Sequence, residues 1–221
     1  MKNVIYKIIN IIIAIAAAIC IISTSVTVMI LARPVYYLDI ERLDIDETSG
    51  CSKEVCKNNY DALIDYNLIG GPSELKFPNF NMSFEGKVHF SDVKKIFITM
   101  QVIALTGIIL FVCFLLYLRQ WGVTENKTIW MRLTGIVLLT TAAVVGGAIV
   151  VDWQWTFAFM HEILFSNDYW IFNPVTDPVI NILPDRYFMH CGIIIAVLVT
   201  VMALSLEIGY RRLNKNERNN I

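Results

Sequence analysis

The sequence predicts an α-helical integral membrane protein with four transmembrane helices and a small mixed α/β extracytoplasmic cap. Three observations carry that expectation: 56% of the 221 residues are hydrophobic against 17% charged, the mean hydropathy is +0.58, and the apolar residues gather into four long runs. A soluble domain carries about a quarter charged residues, whereas each bilayer crossing takes about 20 apolar ones. The composition excludes a disordered chain and argues against a soluble globule. A formal net charge of −1 excludes a generally basic nucleic-acid binder.

The first run, 8–31, carries no charge and is long enough to cross a bilayer, as is 96–118; 133–151 and 191–206 supply two shorter crossings. Lys2 and Lys7 before an apolar run containing Ala16, Ala17 and Ala18 suggest a signal peptide, but the run continues past the alanines without a cleavage site. Cys20 follows Ile19 rather than a small residue, so a lipidation box is absent as well. The helix is expected to stay.

Cations set the orientation. Lys2, Lys7, Arg119, Lys127, Arg132, Arg211, Arg212, Lys215 and Arg218 fall on one side, opposed by Glu125 and Glu217 alone, which puts both termini in the cytoplasm. The other side receives 34–92, with eleven acidic and five basic residues, and 152–188, with five acidic residues and Arg186. The resulting division is 1–33 (N-terminus and first span), 34–92 (cap), 93–151 (second and third spans with a short turn), 152–188 (outer interfacial segment) and 189–221 (fourth span and basic tail). The inner turn, 119–132, is too short for a domain, and Trp121 and Trp130 read as interfacial anchors.

Within the cap, 35–45 alternates loosely as a strand does, and Tyr60, Leu63, Ile64 and Tyr66 recur at helical spacing before Gly70-Gly71-Pro72 stops the run. Residues 77–90 alternate aromatic and polar side chains, and Ser91-Asp92 reads as the N-cap of the second span. The second outer segment, 153–165, is too apolar for a solvated loop and reads as a helix lying in the headgroup region, broken by Ser166-Asn167-Asp168.

The chain has three histidines, His89, His161 and His190, all near the outer membrane boundary in this topology. Histidine titrates nearest neutrality, so two converging imidazoles would make an acid/base pair; unrelated interfacial histidines are the alternative. Of 26 aromatic residues, eight fall in 34–92 and ten in 152–188. An ordinary aromatic belt marks both interfaces, so the excess on one side suggests an apolar chamber beneath the cap, with belt plus cap core as the other reading.

Asn167 or Asp168 could orient an imidazole or simply form a turn. Lys94 and Lys95 open the second span where positive charge opposes the helix dipole; they either snorkel to headgroups or, in the case of Lys94, polarise a carbonyl near His89. His161-Glu162 lacks the second histidine four residues on that a zinc-hydrolase motif needs, since that position is Phe165. No metal or other cofactor is expected. Cys51 and Cys56 both lie in the cap and are expected to form a small structural disulfide, since the second outer segment has no cysteine to relay electrons.

Specific runs then align with a known pattern: His89-Phe90-Ser91-Asp92-Val93-Lys94 leading into a membrane helix, Phe159-Met160-His161-Glu162-Ile163-Leu164-Phe165, Asn167-Asp168-Tyr169-Trp170, Asn173-Pro174, and the late Leu183-Pro184. Over essentially its whole length the chain resembles the lipoprotein intramolecular transacylases of Gram-positive bacteria. The Cys51/Cys56 pair departs from that family's pattern. The resemblance implies a diacylated lipoprotein substrate within the bilayer, whose sn-2 acyl chain moves to the free N-terminal amine, with His89 and His161 as the catalytic residues. Which of the two is base and which acid stays open. Lys94, Asn167, Asp168, Tyr169 and Trp170 are the candidate orienting, oxyanion or substrate contacts. A non-enzymatic four-helix protein with a partner-binding cap and a metal-dependent membrane hydrolase are the alternatives.

Overall fold

The computed structural model describes residues 2–121 and 125–219, and side chains over 4–121 and 128–215. Lys2, Glu125, Lys127, Glu217 and Arg218 of the orientation argument, and the centre of the inner turn, lie outside the described side chains. The elements are α1 (Lys2–Leu31), α2 (Arg33–Arg42), α3 (Ile45–Ser49), α4 (Lys53–Tyr66), α5 (Phe84–Trp121), α6 (Glu125–Val151), α7 (Trp153–Leu164), a 3-10 helix (Pro178–Ile182) and α8 (Asp185–Asn219). Four of these are long and apolar enough to cross a membrane: Val4–Leu31, Phe84–Trp121, Thr128–Val151 and Asp185–Lys215. At 1.5 Å per residue, α5 alone runs about 57 Å, well beyond the roughly 30 Å of hydrocarbon it has to cross.

The expected mixed α/β cap is corrected: among the described residues there is no strand. The segment read as a strand, 35–45, is helical in its first part. Pro34 falls in the first turn of α2, where the missing N–H costs nothing, and Tyr36, Asp39 and Ile40 are buried at the three- and four-residue spacing of one helix face. Asp44, at φ 50°, then turns the chain into α3. The alternation further on has a real cause, since Leu75 and Phe77 are buried while Lys76 and Pro78 are exposed, but the chain there is irregular.

The N-cap expected at Ser91-Asp92 is displaced as well. Helix α5 begins two turns earlier, at Phe84, and Ser91 and Asp92 lie inside it. Ser83 caps it, its Oγ accepting from Gly86 N at 2.9 Å. The boundary expected at 92/93 therefore falls within a continuous helix, and His89 is a helical residue.

The expected Cys51–Cys56 bridge is not formed, and both are free thiols. Cys56 is buried in α4, while Cys51 precedes the Ser52 N-cap. Ser49 engages each sulfur separately: Cys51 Sγ lies 3.8 Å from Ser49 O, and Cys56 Sγ lies 4.0 Å from Ser49 Oγ.

The chain forms two compact units. One comprises Met1–Val26, Val102–Gly147 and Ile194–Ile221; the other comprises Thr27–Gln101 and Ala148–Ile193. The first is helical and packs through small residues: Ala14, Ala18, Ala104 and Ala203 are buried, and a Cβ on Gly107 would stand 2.6 Å from Cys20 Cβ. Trp130, expected as an interfacial anchor, instead belongs to this core, 8% exposed and edge-on to Phe114, whereas Trp121 is 64% exposed. Polar groups here satisfy one another, as where Asn214 and Thr128 pair at 3.0 Å and Thr134 Oγ1 donates to Trp130 O at 2.8 Å.

The second unit holds all three histidines and a core of aromatic rings. Tyr36 stacks on Tyr60 with centroids 3.9 Å apart, and Tyr187 packs edge-on to both. Tyr60 and Tyr187 share a 2.7 Å hydroxyl hydrogen bond, and Tyr36 donates to Ile182 O at 2.8 Å. The stop after α4 is steric: Gly70 sits at φ 80°, and a Cβ on Gly71 would meet Asp65 O at 2.1 Å.

Candidate active site

Helices α5 and α7 bring His89 and His161 together. Helix α7 starts on the Asp152 side chain, which accepts from Trp155 N at 3.0 Å, and its residues Trp153, Phe157 and His161 follow at four-residue intervals along one face. The imidazole centroids of His89 and His161 are 6.2 Å apart with planes 28° from parallel, and the residues are 6% and 9% exposed. That spacing leaves more than a hydrogen bond's length between their nearest nitrogens. A proton can pass between them only through something bound to both.

Aromatic rings enclose the pair. Phe165 contacts both imidazoles, at 4.8 Å from His89 and 5.6 Å from His161. Phe172 meets His89 edge-on at 5.3 Å and stacks on Phe90. His161 lies between Phe157 at 4.2 Å and Trp170 at 4.7 Å, the latter inclined by only 28°.

The two imidazoles are wired differently. His161 Nδ1 is 2.7 Å from Phe157 O. A carbonyl only accepts, so Nδ1 carries the hydrogen and Nε2 of the neutral ring is left with a free lone pair. Burial pushes the His161 pKa below the ordinary histidine value, opposed in part by the Phe157 carbonyl, which favours the charged form. His89 Nδ1 is buried with no hydrogen-bond partner in the structure.

Among the other candidates, Trp170 is the one with a ring contact to either imidazole of the pair. Asn167 Oδ1 accepts from Tyr169 N at 3.1 Å, which is a turn contact, and Asp168 is exposed with its carbonyl accepting from Ile171 N; neither carries out the imidazole-orienting role considered for it. Tyr169 is half-buried on the same loop. Lys94 is engaged away from His89: its ammonium donates to Pro72 O and sits 4.2 Å over the Tyr66 ring, tying α5 to the turn after α4 rather than taking up either role considered for it. Glu162 is exposed, and among the described residues no three His, Cys, Asp or Glu side chains are grouped to hold a metal ion.

The sequence reading missed the aromatic partners Phe157, Phe165 and Phe172. It also missed the link that holds the third histidine. His190 Nδ1 donates to Asp39 Oδ2 at 2.8 Å, and the Asp39 side chain is 2% exposed. Asp39 lies in the segment read as a strand; the helical spacing from Tyr36 was the available signal for its burial.

Residues 11–188 match the family model described as the lipoprotein intramolecular transacylase Lit. Among solved structures, the membrane-integral lipoprotein intramolecular transacylase Lit from Bacillus cereus is 27% identical, with a TM-score of 0.88, over 98% of this chain and 99% of that one. Two variants of that protein, one with a histidine replaced by arginine and one by alanine, match at TM-scores of 0.83 and 0.82 with 26% and 27% identity. The arginine variant aligns over 100% of this chain and 96% of its own, the alanine variant over 98% and 97%. Comparison with curated proteins gave no match. With the family model covering most of its length, and the fold shared from end to end with a membrane-integral member, the chain belongs to the lipoprotein intramolecular transacylase (Lit) family.

Proposed function

We propose that this enzyme, an intramolecular acyltransferase of the membrane, moves the sn-2 acyl chain of a diacylglyceryl-cysteine lipoprotein onto the lipoprotein's own α-amine, with His161 as base and His89 completing the pair that returns the proton. The observation that carries the assignment is the unequal wiring of the pair: His161 presents a bare Nε2 lone pair, and His89 carries an unpartnered buried ring nitrogen. The amine nitrogen attacks the ester carbonyl carbon while His161 Nε2 takes the amine proton. The tetrahedral oxyanion then collapses, the C–O bond to the glyceryl oxygen breaks, and that oxygen takes the proton the amine gave up, returned through the imidazole pair, whose members both start and finish neutral. No net proton is gained or lost, so the pair is ready for the next substrate. The product is an N-acylated lipoprotein with a lyso glyceryl group and an unchanged acyl count.

Because nucleophile and ester belong to one molecule, the enzyme's task is to fold the substrate until nitrogen meets carbonyl, a proximity effect of up to about 11 kcal/mol. The rings of Phe157, Phe165, Trp170 and Phe172 suit that task, since they press on the imidazoles and exclude the water that would hydrolyse the ester. The cation distribution supports an extracytoplasmic reaction with both termini cytoplasmic. The test is mass spectrometry of a lipopeptide substrate carrying an isotopic label in its sn-2 chain alone, incubated with purified enzyme. The label is expected on the N-terminal amine with total acyl number constant. Label appearing as free fatty acid, or an N-acyl chain derived from sn-1 or from added phospholipid, rules the reaction out.

A further inference from the structure

We infer that Asp177 is a positioning residue for the transacylation, acting as a pin that fixes the start of the His89 helix to the loop that packs on both imidazoles; this rests on the His89/His161 reading above. Asp177 is 2% exposed, and its Oδ1 accepts from Ser83 N at 2.8 Å, from a residue 94 positions away. Ser83 is the N-cap of α5, and His89 follows six residues later on that helix. The approach is possible only because residue 86 is glycine: a Cβ there would stand 2.4 Å from Asp177 Oδ1. A carboxylate at a helix N-terminus is favoured by the exposed N–H groups and the helix dipole.

The other end of the device is the loop leading to Asp177. Asn173 O accepts from Asp177 N at 2.8 Å, and Asn173 Oδ1 accepts from Val175 N at 2.9 Å, so the last turn of the loop is rigidly bonded. Thr176 Oγ1 donates to Asp177 Oδ2 at 2.7 Å, occupying the second carboxylate oxygen. The same loop carries Trp170 against His161 and Phe172 against His89. Between α7, which bears His161, and α5, which bears His89, this loop is therefore a buckle, and Asp177 is where it closes. Loosening it changes the distance between the two imidazoles without removing either.

Two substitutions break the pin from opposite sides. Asp177→Ala removes the acceptor, and Gly86→Ala forces the carboxylate away from it. Each is expected to lower kcat by about 10- to 100-fold, the scale of an ångström's misplacement of catalytic groups, with KM within about threefold. Asp177→Asn retains an acceptor oxygen and should recover most of the lost rate. The decisive measurement is the double-mutant cycle in kcat on purified, folded protein: once Asp177 is alanine, adding Gly86→Ala should cost less than about threefold, because the two lesions break one contact. Multiplicative losses, or an Asp177→Ala enzyme with a lower melting temperature but wild-type kcat per folded molecule, overturn the inference. His89→Ala measured alongside separates the two readings: if it stays active, the catalytic assignment fails; if it is inactive while Asp177→Ala is fully active, only the pin fails.

Discussion

Two pairs in the second unit each use a histidine, and they are built on opposite principles. His190 is backed by a carboxylate, with Asp39 buried behind it at 2.8 Å. His161 is backed by a backbone carbonyl, faces a second imidazole and is enclosed by aromatic rings. A carboxylate partner holds a ring in place through an ionic hydrogen bond; at His161 the apolar walls favour the neutral ring and the carbonyl fixes which nitrogen is basic. What sets the second arrangement apart is the facing imidazole: His161 has one across from it, with Phe165 touching both rings. The difference separates a latch between α2 and α8 from the pair proposed to carry the reaction.

Breaking each pair should have a different consequence. His161→Ala is expected to reduce the transacylation rate by about 10²- to 10⁴-fold, the usual contribution of a positioned acid or base, with little change in melting temperature; N-acylated product per folded enzyme measures it. His190→Ala is expected to do the reverse, leaving the rate per folded molecule within a few-fold while costing about 1–3 kcal/mol of stability, because Asp39 is left buried without its donor. Thermal melts read beside activity check this, and an inactive but fully stable His190→Ala enzyme breaks the contrast. The smallest effect belongs to the tyrosines of the latch region: Tyr187→Phe loses the Tyr60 hydroxyl bond, about 0.5–1.5 kcal/mol of stability, with no loss of rate.

The parts legible in the sequence were those governed by local composition. Four apolar runs correspond to four helices able to cross a membrane, because backbone satisfaction in lipid leaves a long apolar run little choice but helix. The α4 helix and the α7 helix followed from spacing and from the breakers behind them, Gly70-Gly71 and Ser166-Asn167. His89 and His161 stood out through rarity and placement. What failed was decided at long range. Ser91-Asp92 is a sound local cap signal, yet α5 starts at Phe84 because Ser83 caps it and a carboxylate 94 residues away accepts the Ser83 N–H. The segment 35–45 alternates weakly enough to pass for a strand, but Pro34 and the burial of Tyr36, Asp39 and Ile40 against distant partners make its first part a helix. The aromatic residues around the imidazoles were counted correctly and could not be paired, since ring contacts between α5, α7 and the loop after it depend on tertiary packing.

The central claim is that His161 enters the reaction neutral, with its hydrogen on Nδ1 and its lone pair on Nε2. Nitrogen NMR of the histidine-labelled enzyme reports both properties directly. Burial favours the neutral ring, so the folded-state pKa is lowered: between that value and the ordinary value of about 6.5 the unfolded chain binds a proton that the native protein does not. His161 therefore makes the protein less stable as pH falls below about 6.5, and contributes no pH dependence above it. The expected spectrum at pH 6.5 is a mostly neutral Nδ1–H tautomer for the signal lost in His161→Gln, titrating at a more acidic pH. A half-titration point at or above 6.5, or an Nε2–H tautomer, contradicts the account.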